Sequence, residues 1–117
     1  MKENIILDKT KKFSLGIIEI YKQLQTEREY ILSAQLLRSA TSIGANVREA
    51  IAGQSKKDFY SKICIAFKES YETAYWLELL AESWITGINV STLQLQCEEI
   101  SKILAKIKLS TETSLNS

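Results

Sequence analysis

A line of polar side chains on the second predicted helix is the feature best suited to chemistry. Its members are spaced four, four and three residues apart and therefore share one helical face: Arg38, Ser42, Asn46 and Glu49. The third predicted helix adds Lys68, Ser70 and Glu72. One interpretation is a site for a small ligand or RNA. The other is polar pairing between packed helices, since buried polar groups usually find partners within the protein. We favour the structural interpretation for Ser42, Asn46, Glu49, Ser70 and Glu72.

Basic residues cluster at the start of the third predicted helix. Lys56, Lys57 and Lys62 lie in its first turns, and Arg48 is near the same end of the preceding helix. Such cations could contact a phosphate backbone, whereas the structural interpretation is a solvated helix end. The hypothesis of an RNA or DNA site therefore includes five residues: Arg38, Arg48, Lys56, Lys57 and Lys62.

The groups that perform most enzyme chemistry are missing. The sequence has no histidine, which is the commonest general base and metal ligand, and it has no glycine-rich phosphate loop. Cys64 and Cys97 are far apart in sequence and lie on apolar helix faces, where cysteine usually acts as a small core residue. We predict a protein that is not an enzyme, with no catalytic residues, metal or cofactor.

Four segments that would carry these residues have apolar side chains at spacings of three and four, the period of a helix. They predict helices over about residues 8–26, 29–53, 56–85 and 91–110, with a frayed tail over 111–117. Gly53 and Gly87 are expected to end helices, and Ser55 and Ser91 to cap the next ones. Short connections make neighbouring helices antiparallel. The prediction is an all-α, antiparallel, up-down-up-down four-helix bundle forming one domain over residues 1–117.

The predicted helices carry more apolar surface than four-way packing requires. The expected core row of the second helix is Leu37, Ala40, Gly44, Val47 and Ile51; that of the third is Phe59, Ile63, Phe67, Ser70, Ala74, Leu77, Ala81 and Trp84. Further apolar and aromatic residues lie beside these rows. A broad core face would accommodate them, whereas an oligomer interface or partner groove would explain the tyrosines and tryptophan. The predicted oligomer interface comprises Leu36, Ile43, Tyr60, Tyr71, Tyr75, Trp76 and Leu79.

Composition limits the cellular setting and the partners. The chain has 117 residues and a net charge of +1, which gives no general attraction to nucleic acid or membrane. No apolar run approaches the roughly 18 residues of a membrane span, and the N-terminus lacks the pattern of a signal peptide. We expect a cytosolic protein with reduced cysteines and no membrane association.

The stretch from Leu37 to Ala81 carries a family resemblance. Its motif reads LRSATSIGANVRE over 37–49, followed by SKKDF over 55–59, Ile65-Ala66 and Ser70-x-Glu72. This pattern resembles the four-helix-bundle proteins encoded in intervening sequences of bacterial 23S rRNA genes, also labelled S23 ribosomal protein-like. The motif spans about forty residues, and the helix layout matches over nearly the whole chain. One departure is Ala50, where the family often has glycine.

The resemblance implies a cytosolic bacterial bundle that assembles as a homopentamer and has no established activity. Similar bundles serve as accessory factors in diversity-generating retroelements, where they bind a reverse transcriptase and nucleic acid. Those relatives are commonly more basic than this chain. Our leading hypothesis is a non-enzymatic homo-oligomeric interaction module, and the alternative is an RNA- or DNA-binding accessory protein. A small-ligand site or enzyme in the bundle core is a third, weaker hypothesis, and a further protein partner is also compatible.

Overall fold

The computed structural model describes the backbone of residues 2–117 and the side chains of residues 5–117. Over this range it contains four helices and no strand: α1 (Lys2–Thr26), α2 (Ile31–Ile51), α3 (Lys56–Glu82) and α4 (Ser91–Leu115). They form a rod of 50 × 22 × 22 Å. The predicted all-α class and four-helix bundle are confirmed.

Cross-helix contacts define the order and direction of the helices. Between α2 and α3, Arg38 meets Glu69 whereas Glu49 meets Lys62, so the partner number falls as the residue number rises. Between α3 and α4, the pairs Tyr60–Glu112 and Ser70–Ser101 show the same relationship. Between α1 and α2, Gln25 contacts Ser33 whereas Thr10 lies beside Gly44, so all consecutive helices are antiparallel. The α1–α2 and α3–α4 loops share one end of the rod, and the α2–α3 loop lies at the other.

The core rows on α2 and α3 overlap the predicted rows only in part. Five residues are buried as predicted: Ala40, Val47, Ile63, Ser70 and Leu77. On α2, Leu36, Ile43 and Ala50 are buried, whereas Ile51 is exposed. Helix α2 packs against both α1 and α3, and this placement turns its buried face by less than the roughly 100° that separates successive residues. Leu36 and Ile43 are consequently core residues, which corrects their assignment to an oligomer interface. On α3 the buried row is Ile63, Ala66, Ser70, Thr73, Leu77 and Leu80.

Polar contacts set several helix ends. Ser55 caps α3 as predicted, since its hydroxyl accepts a hydrogen bond from the Asp58 N–H at 3.0 Å. Helix α2 ends at Ile51, two residues before Gly53, but neither Gly53 nor Gly87 has a positive φ. The expected Ser91 cap is wrong, because Val90 is the N-cap residue of α4. Helix α3 ends at Glu82, before Trp84 takes a φ of 62°.

The outer helices extend beyond their predicted bounds. Helix α1 begins at Lys2 rather than near residue 8, and α4 continues to Leu115, which corrects the prediction of a frayed tail from residue 111. The extra turns of α4 have partners on α3, because Tyr60 donates to Glu112 and Lys56 donates to Ser114. These contacts explain why a polar segment remains helical.

Candidate functional site

Arg38 of α2 is held by two carboxylates of α3. Its Nη1 lies 3.1 Å from Glu69 Oε2, and its Nη2 contacts Glu72 Oε2. Trp76 Nε1 donates to that same Glu72 oxygen at 3.0 Å. Two carboxylates neutralise the guanidinium locally, so Arg38 joins α2 to α3 and is a poor candidate for binding phosphate.

The rest of the polar line on α2 is also engaged within the chain. Asn46 Nδ2 donates to the Ser42 carbonyl at 2.8 Å and contacts its hydroxyl at 3.0 Å. Glu49 forms an ion pair with Lys62 of α3 at 3.1 Å. The four residues of this line therefore make local or α2–α3 contacts, which is the geometry expected of helix pairing.

Ser70 anchors a buried hydrogen-bond group between α3 and α4. Its hydroxyl donates to the Phe67 carbonyl at 2.6 Å and accepts from Ser101 at 2.8 Å. The Cys97 thiol donates to the Ser70 carbonyl at 3.3 Å. Burial raises the pKa of Cys97 to about 12, which keeps the thiol protonated at neutral pH. The group joins helices and lacks an activated nucleophile.

The five basic residues do not form one surface. Lys56 and Lys57 lie at the start of α3. Arg48 lies at the same end of the rod, in a shallow groove between α1 and α2 that also includes Lys11. Arg38 is ten residues from Arg48, or about 15 Å along α2, and Lys62 is paired with Glu49. The structure therefore places Arg48, Lys56 and Lys57 at one end of the rod but on different sides of it, because Arg48 lies beside Lys11 of α1 whereas Lys56 donates to Ser114 of α4. Sequence reasoning missed Lys11 because only packing places α1 beside Arg48.

An aromatic face covers the outer side of α3, from the α4 groove at Tyr71 to the contact with Glu72 at Trp76. Tyr71 is 63% exposed and Tyr75 is 52% exposed, whereas Trp76, Leu79 and Tyr60 are half-buried. The Tyr71 ring packs at 4.9 Å from the ring of Phe67, and that of Tyr75 at 5.4 Å from Trp76, so both exposed rings are positioned by a neighbour.

Tyr60 extends this face toward the end of α4. Its hydroxyl donates to Glu112, whose second partner is Lys108 at 3.2 Å. The hydrogen bond to Glu112 is the main reason why the pKa of Tyr60 is raised. The hydrogen bonds from Tyr60 and Lys108 lower the pKa of Glu112. Tyr60 is thus tied to its own subunit by its polar end.

A groove between α3 and α4 lies beside the aromatic face. Phe67 and Tyr71 form one wall, and small residues of both helices line it: Ala74, Ser101 and Ala105. Sequence reasoning missed the α4 side. The spacing of four between Ser101 and Ala105 was the available signal, because small residues on one helical face permit a partner to approach closely.

Two further properties follow from the described part of the chain. It contains no group of three or more cysteine, aspartate or glutamate residues placed to hold a metal ion. None of its helices combines the length and apolarity needed to cross a membrane.

The arrangement defines an antiparallel four-helix bundle whose helices are joined by polar contacts and whose third helix presents an exposed aromatic face. The chain belongs to the 23S rRNA-intervening sequence protein family, whose sequence model matches residues 2–106. It is also similar to a solved structure from Bacteroides thetaiotaomicron, described as a protein with unknown function from the S23 ribosomal protein family. That chain is 44% identical, with a TM-score of 0.85, and the match covers 92% of this chain and 98% of that one. No curated protein matches. The predicted family is confirmed.

Proposed function

We propose that this protein is a non-enzymatic, homo-oligomeric interaction module of the cytosol, with a pentamer as the assembly implied by the family resemblance. The observation that carries the proposal is the exposure of Tyr71 and Tyr75 on one side of α3. Tyrosine is enriched at protein interfaces, where its apolar ring is covered and its hydroxyl reaches a polar edge.

The energetics favour covering this face. A tyrosine ring that is half exposed leaves on the order of 100 Å² of apolar surface in water. Burying that surface in an interface favours association by roughly 2 kcal/mol. Trp76 and Leu79 adjoin the two tyrosines, and the groove lined by Ala74 and Ala105 leaves room for a side chain from a second subunit. We therefore place the subunit contact on the α3 aromatic face, without Leu36 and Ile43.

Multi-angle light scattering at micromolar concentration tests the proposal. The unmodified protein is expected to elute as one multimeric species. Tyr71→Glu combined with Tyr75→Glu is expected to yield folded monomers, because two buried charges at the interface are costly. Leu15→Glu is the matched control, since Leu15 is an exposed apolar residue on α1. A monomeric unmodified protein, or a multimer unaffected by the double substitution, contradicts the proposal.

Nucleic-acid binding is the second candidate function, and the charge distribution along α3 favours it. Residues 56–68 carry four lysines and one aspartate, whereas residues 69–82 carry four glutamates and no basic residue. The basic half lies at the end of the rod that also contains Arg48 and Lys11. A net charge of +1 therefore conceals a local cationic region suited to phosphates.

Fluorescence anisotropy with a structured RNA, at a series of salt concentrations, tests this second candidate. Lys56→Ala combined with Lys57→Ala is expected to weaken binding and reduce the slope of log affinity against log salt by roughly two. Lys22→Ala with Lys102→Ala is the matched control, because these lysines form local ion pairs on α1 and α4. The proposed site is contradicted if the unmodified protein does not bind RNA at low salt, or if both double variants lose the same affinity.

A further inference from the structure

An exposed apolar cluster lies at the end of the rod where the α1–α2 and α3–α4 loops meet. Trp84 is 96% exposed and Ile31 is 77% exposed, and Tyr30 and Ile85 are also exposed. We call these four residues the aromatic end. They lie at the opposite end of the rod from Lys56 and Lys57, so they belong neither to that basic end nor to the α3 aromatic face. The expected burial of Trp84 in the α3 core row is wrong, because α3 ends two residues before it.

The loops that present the aromatic end are fixed by specific contacts. The Thr86 hydroxyl of one loop donates to Glu27 Oε1 of the other at 2.6 Å. In the α1–α2 loop, the Glu29 carboxylate accepts hydrogen bonds from the first N–H groups of α2. The surface is therefore formed before any partner arrives, which lowers the entropic cost of binding.

Trp84 is unfavourable for the stability of the free chain on two counts. It has a φ of 62°, a left-handed conformation that residues with a Cβ adopt at an energetic cost. Its indole is also almost wholly in water, so it contributes little packing. A residue that breaks local preferences without stabilising the fold is a common sign of a functional surface.

The charge around the aromatic end selects the chemistry of a partner. Glu82 is the last residue of α3, Glu78 lies one turn before it, and Glu27 is in the adjoining loop. Arg28 is the only basic residue of the two loops, residues 27–30 and 83–90, and Lys22 lies one turn before the end of α1. Acidic residues therefore outnumber basic ones around this end. This field repels nucleic acid and anionic lipid surfaces and attracts cations. An exposed indole also binds arginine or lysine through its ring face.

The size of the surface disfavours a second copy of the bundle as a stable occupant. The end of a rod that is 22 × 22 Å across is small for a stable contact between two bundles, which typically buries roughly 800 Å² of accessible surface per partner. A short peptide segment needs only a few anchoring contacts on such a surface.

We propose that the aromatic end is a docking site for a cationic polypeptide segment. An arginine or lysine of the segment lies over the Trp84 indole, and an apolar side chain packs against Ile31 and Ile85. The glutamates around these residues supply electrostatic attraction. This site is separate from the α3 aromatic face and does not depend on the oligomeric state.

The test uses two labelled twelve-residue probe peptides and the full-length protein. One peptide contains arginine, leucine and serine, and the other has glutamate in place of every arginine. Anisotropy measures binding. The part of the tryptophan emission that Trp84→Gly removes, leaving only Trp76, reports the environment of Trp84. The arginine peptide is expected to bind at micromolar concentration, to shift the emission to the blue and to dissociate as salt is raised. The glutamate peptide is expected not to bind.

Three variants locate the site. Trp84→Gly preserves the left-handed backbone and is expected to weaken binding at least tenfold while leaving the circular dichroism spectrum unchanged. Glu82→Lys is expected to weaken binding severalfold and flatten its salt dependence. Leu109→Ala is the matched control, because Leu109 is an exposed apolar residue on the far half of α4, and it is expected to bind normally.

Several results would overturn the proposal. One is that Trp84→Gly leaves the affinity for the arginine peptide unchanged, or that Leu109→Ala weakens it as much as Trp84→Gly does. Another is equal affinity for the glutamate peptide. A third is concentration-dependent self-association that Trp84→Gly abolishes, since that would identify a second copy as the occupant. Absence of binding by the arginine peptide at low salt would also overturn it.

Discussion

The Thr73 hydroxyl of α3 donates a hydrogen bond to the Ser39 hydroxyl of α2 at 2.8 Å, and both side chains are fully buried. Thr73 also lies 2.8 Å from the Glu69 carbonyl, and Ser39 Oγ lies 3.4 Å from the Leu36 carbonyl. This pair aligns α2 with α3 beside the Arg38–Glu69 ion pair. A misaligned register would leave buried hydroxyls without partners, so the pair helps to specify one packing arrangement.

Thr73→Val is expected to destabilise the protein by about 1 kcal/mol, because valine keeps the shape while Ser39 loses its close partner. Adding Ser39→Ala is expected to restore much of that loss, since the site becomes uniformly apolar. Urea unfolding of both single variants and the double variant measures the coupling. Strictly additive losses would mean that the two hydroxyls do not depend on each other.

Glu29→Ala is expected to cost about 1–2 kcal/mol by removing the cap of α2. The Glu29 carboxylate accepts from the N–H groups of Ile31 at 3.2 Å, Leu32 at 3.1 Å and Ser33 at 2.6 Å. Exposed Glu19 on α1 provides the control, and Glu19→Ala is expected to change stability by less than about 0.5 kcal/mol. Thermal and urea unfolding give the comparison. Equal effects of the two substitutions would show that the cap contributes little.

The Tyr60–Glu112 contact predicts a pH-dependent contribution to the stability of the α4 end. Since the pKa of Glu112 is lowered below 4.5 on folding, its contribution is present above pH 4.5 and is lost as pH falls through the lowered value. The pKa of Tyr60 is raised above 10.0, so its contribution is present below pH 10.0 and is lost as pH rises through the raised value.

Tyr60→Phe tests this relationship. The free energy of unfolding of the variant is expected to differ from that of the unmodified protein by a constant amount between pH 4.5 and 10.0. The difference should shrink at both extremes. Urea titrations across pH measure it, and amide exchange at residues 108–115 locates it. A difference that is constant at all pH values would rule out linkage through this contact.

Cys97 is expected to resist alkylation in the folded protein. Burial raises its pKa to about 12, so at pH 8 only about one thiol in 10⁴ is the reactive thiolate. Cys64 is half-buried and is expected to react first. Mass spectrometry after a short iodoacetamide treatment distinguishes the two, and urea-unfolded protein provides the control in which both react. Comparable labelling of both cysteines in the native protein would be inconsistent with the closed core around Ser70 and Cys97.

The helices and their order could be predicted from the sequence because periodicity and short connections are local properties. Cys97, expected on an apolar helix face, lies on the buried face of α4. On α2 the same reasoning was only partly right. Ala40 and Val47 are buried as expected, but Leu36, Ile43 and Ala50 complete the buried face. Periodicity specifies that a helix has an apolar side but cannot choose between adjacent rows.

The roles of the candidate site residues were harder to predict from the sequence, because they depend on tertiary contacts. Arg38 was grouped with the cations because of its charge, yet its position opposite Glu69 and Glu72 gives it an ion-pairing role. Glu29 carries no sequence signal that separates it from any loop glutamate until its carboxylate meets the start of α2. Trp84 was expected in the core because the apolar period continues through it, although the backbone turns at that residue.

By itself, the sequence determined the helical class, the number of helices and the family motif, since these depend on neighbours within one or two turns. Tertiary structure decided which apolar row is buried, which charges are paired and that Trp84 faces water. Those outcomes depend on residues about 30 or more positions apart along the chain, and only the packing of antiparallel helices brings such residues into contact.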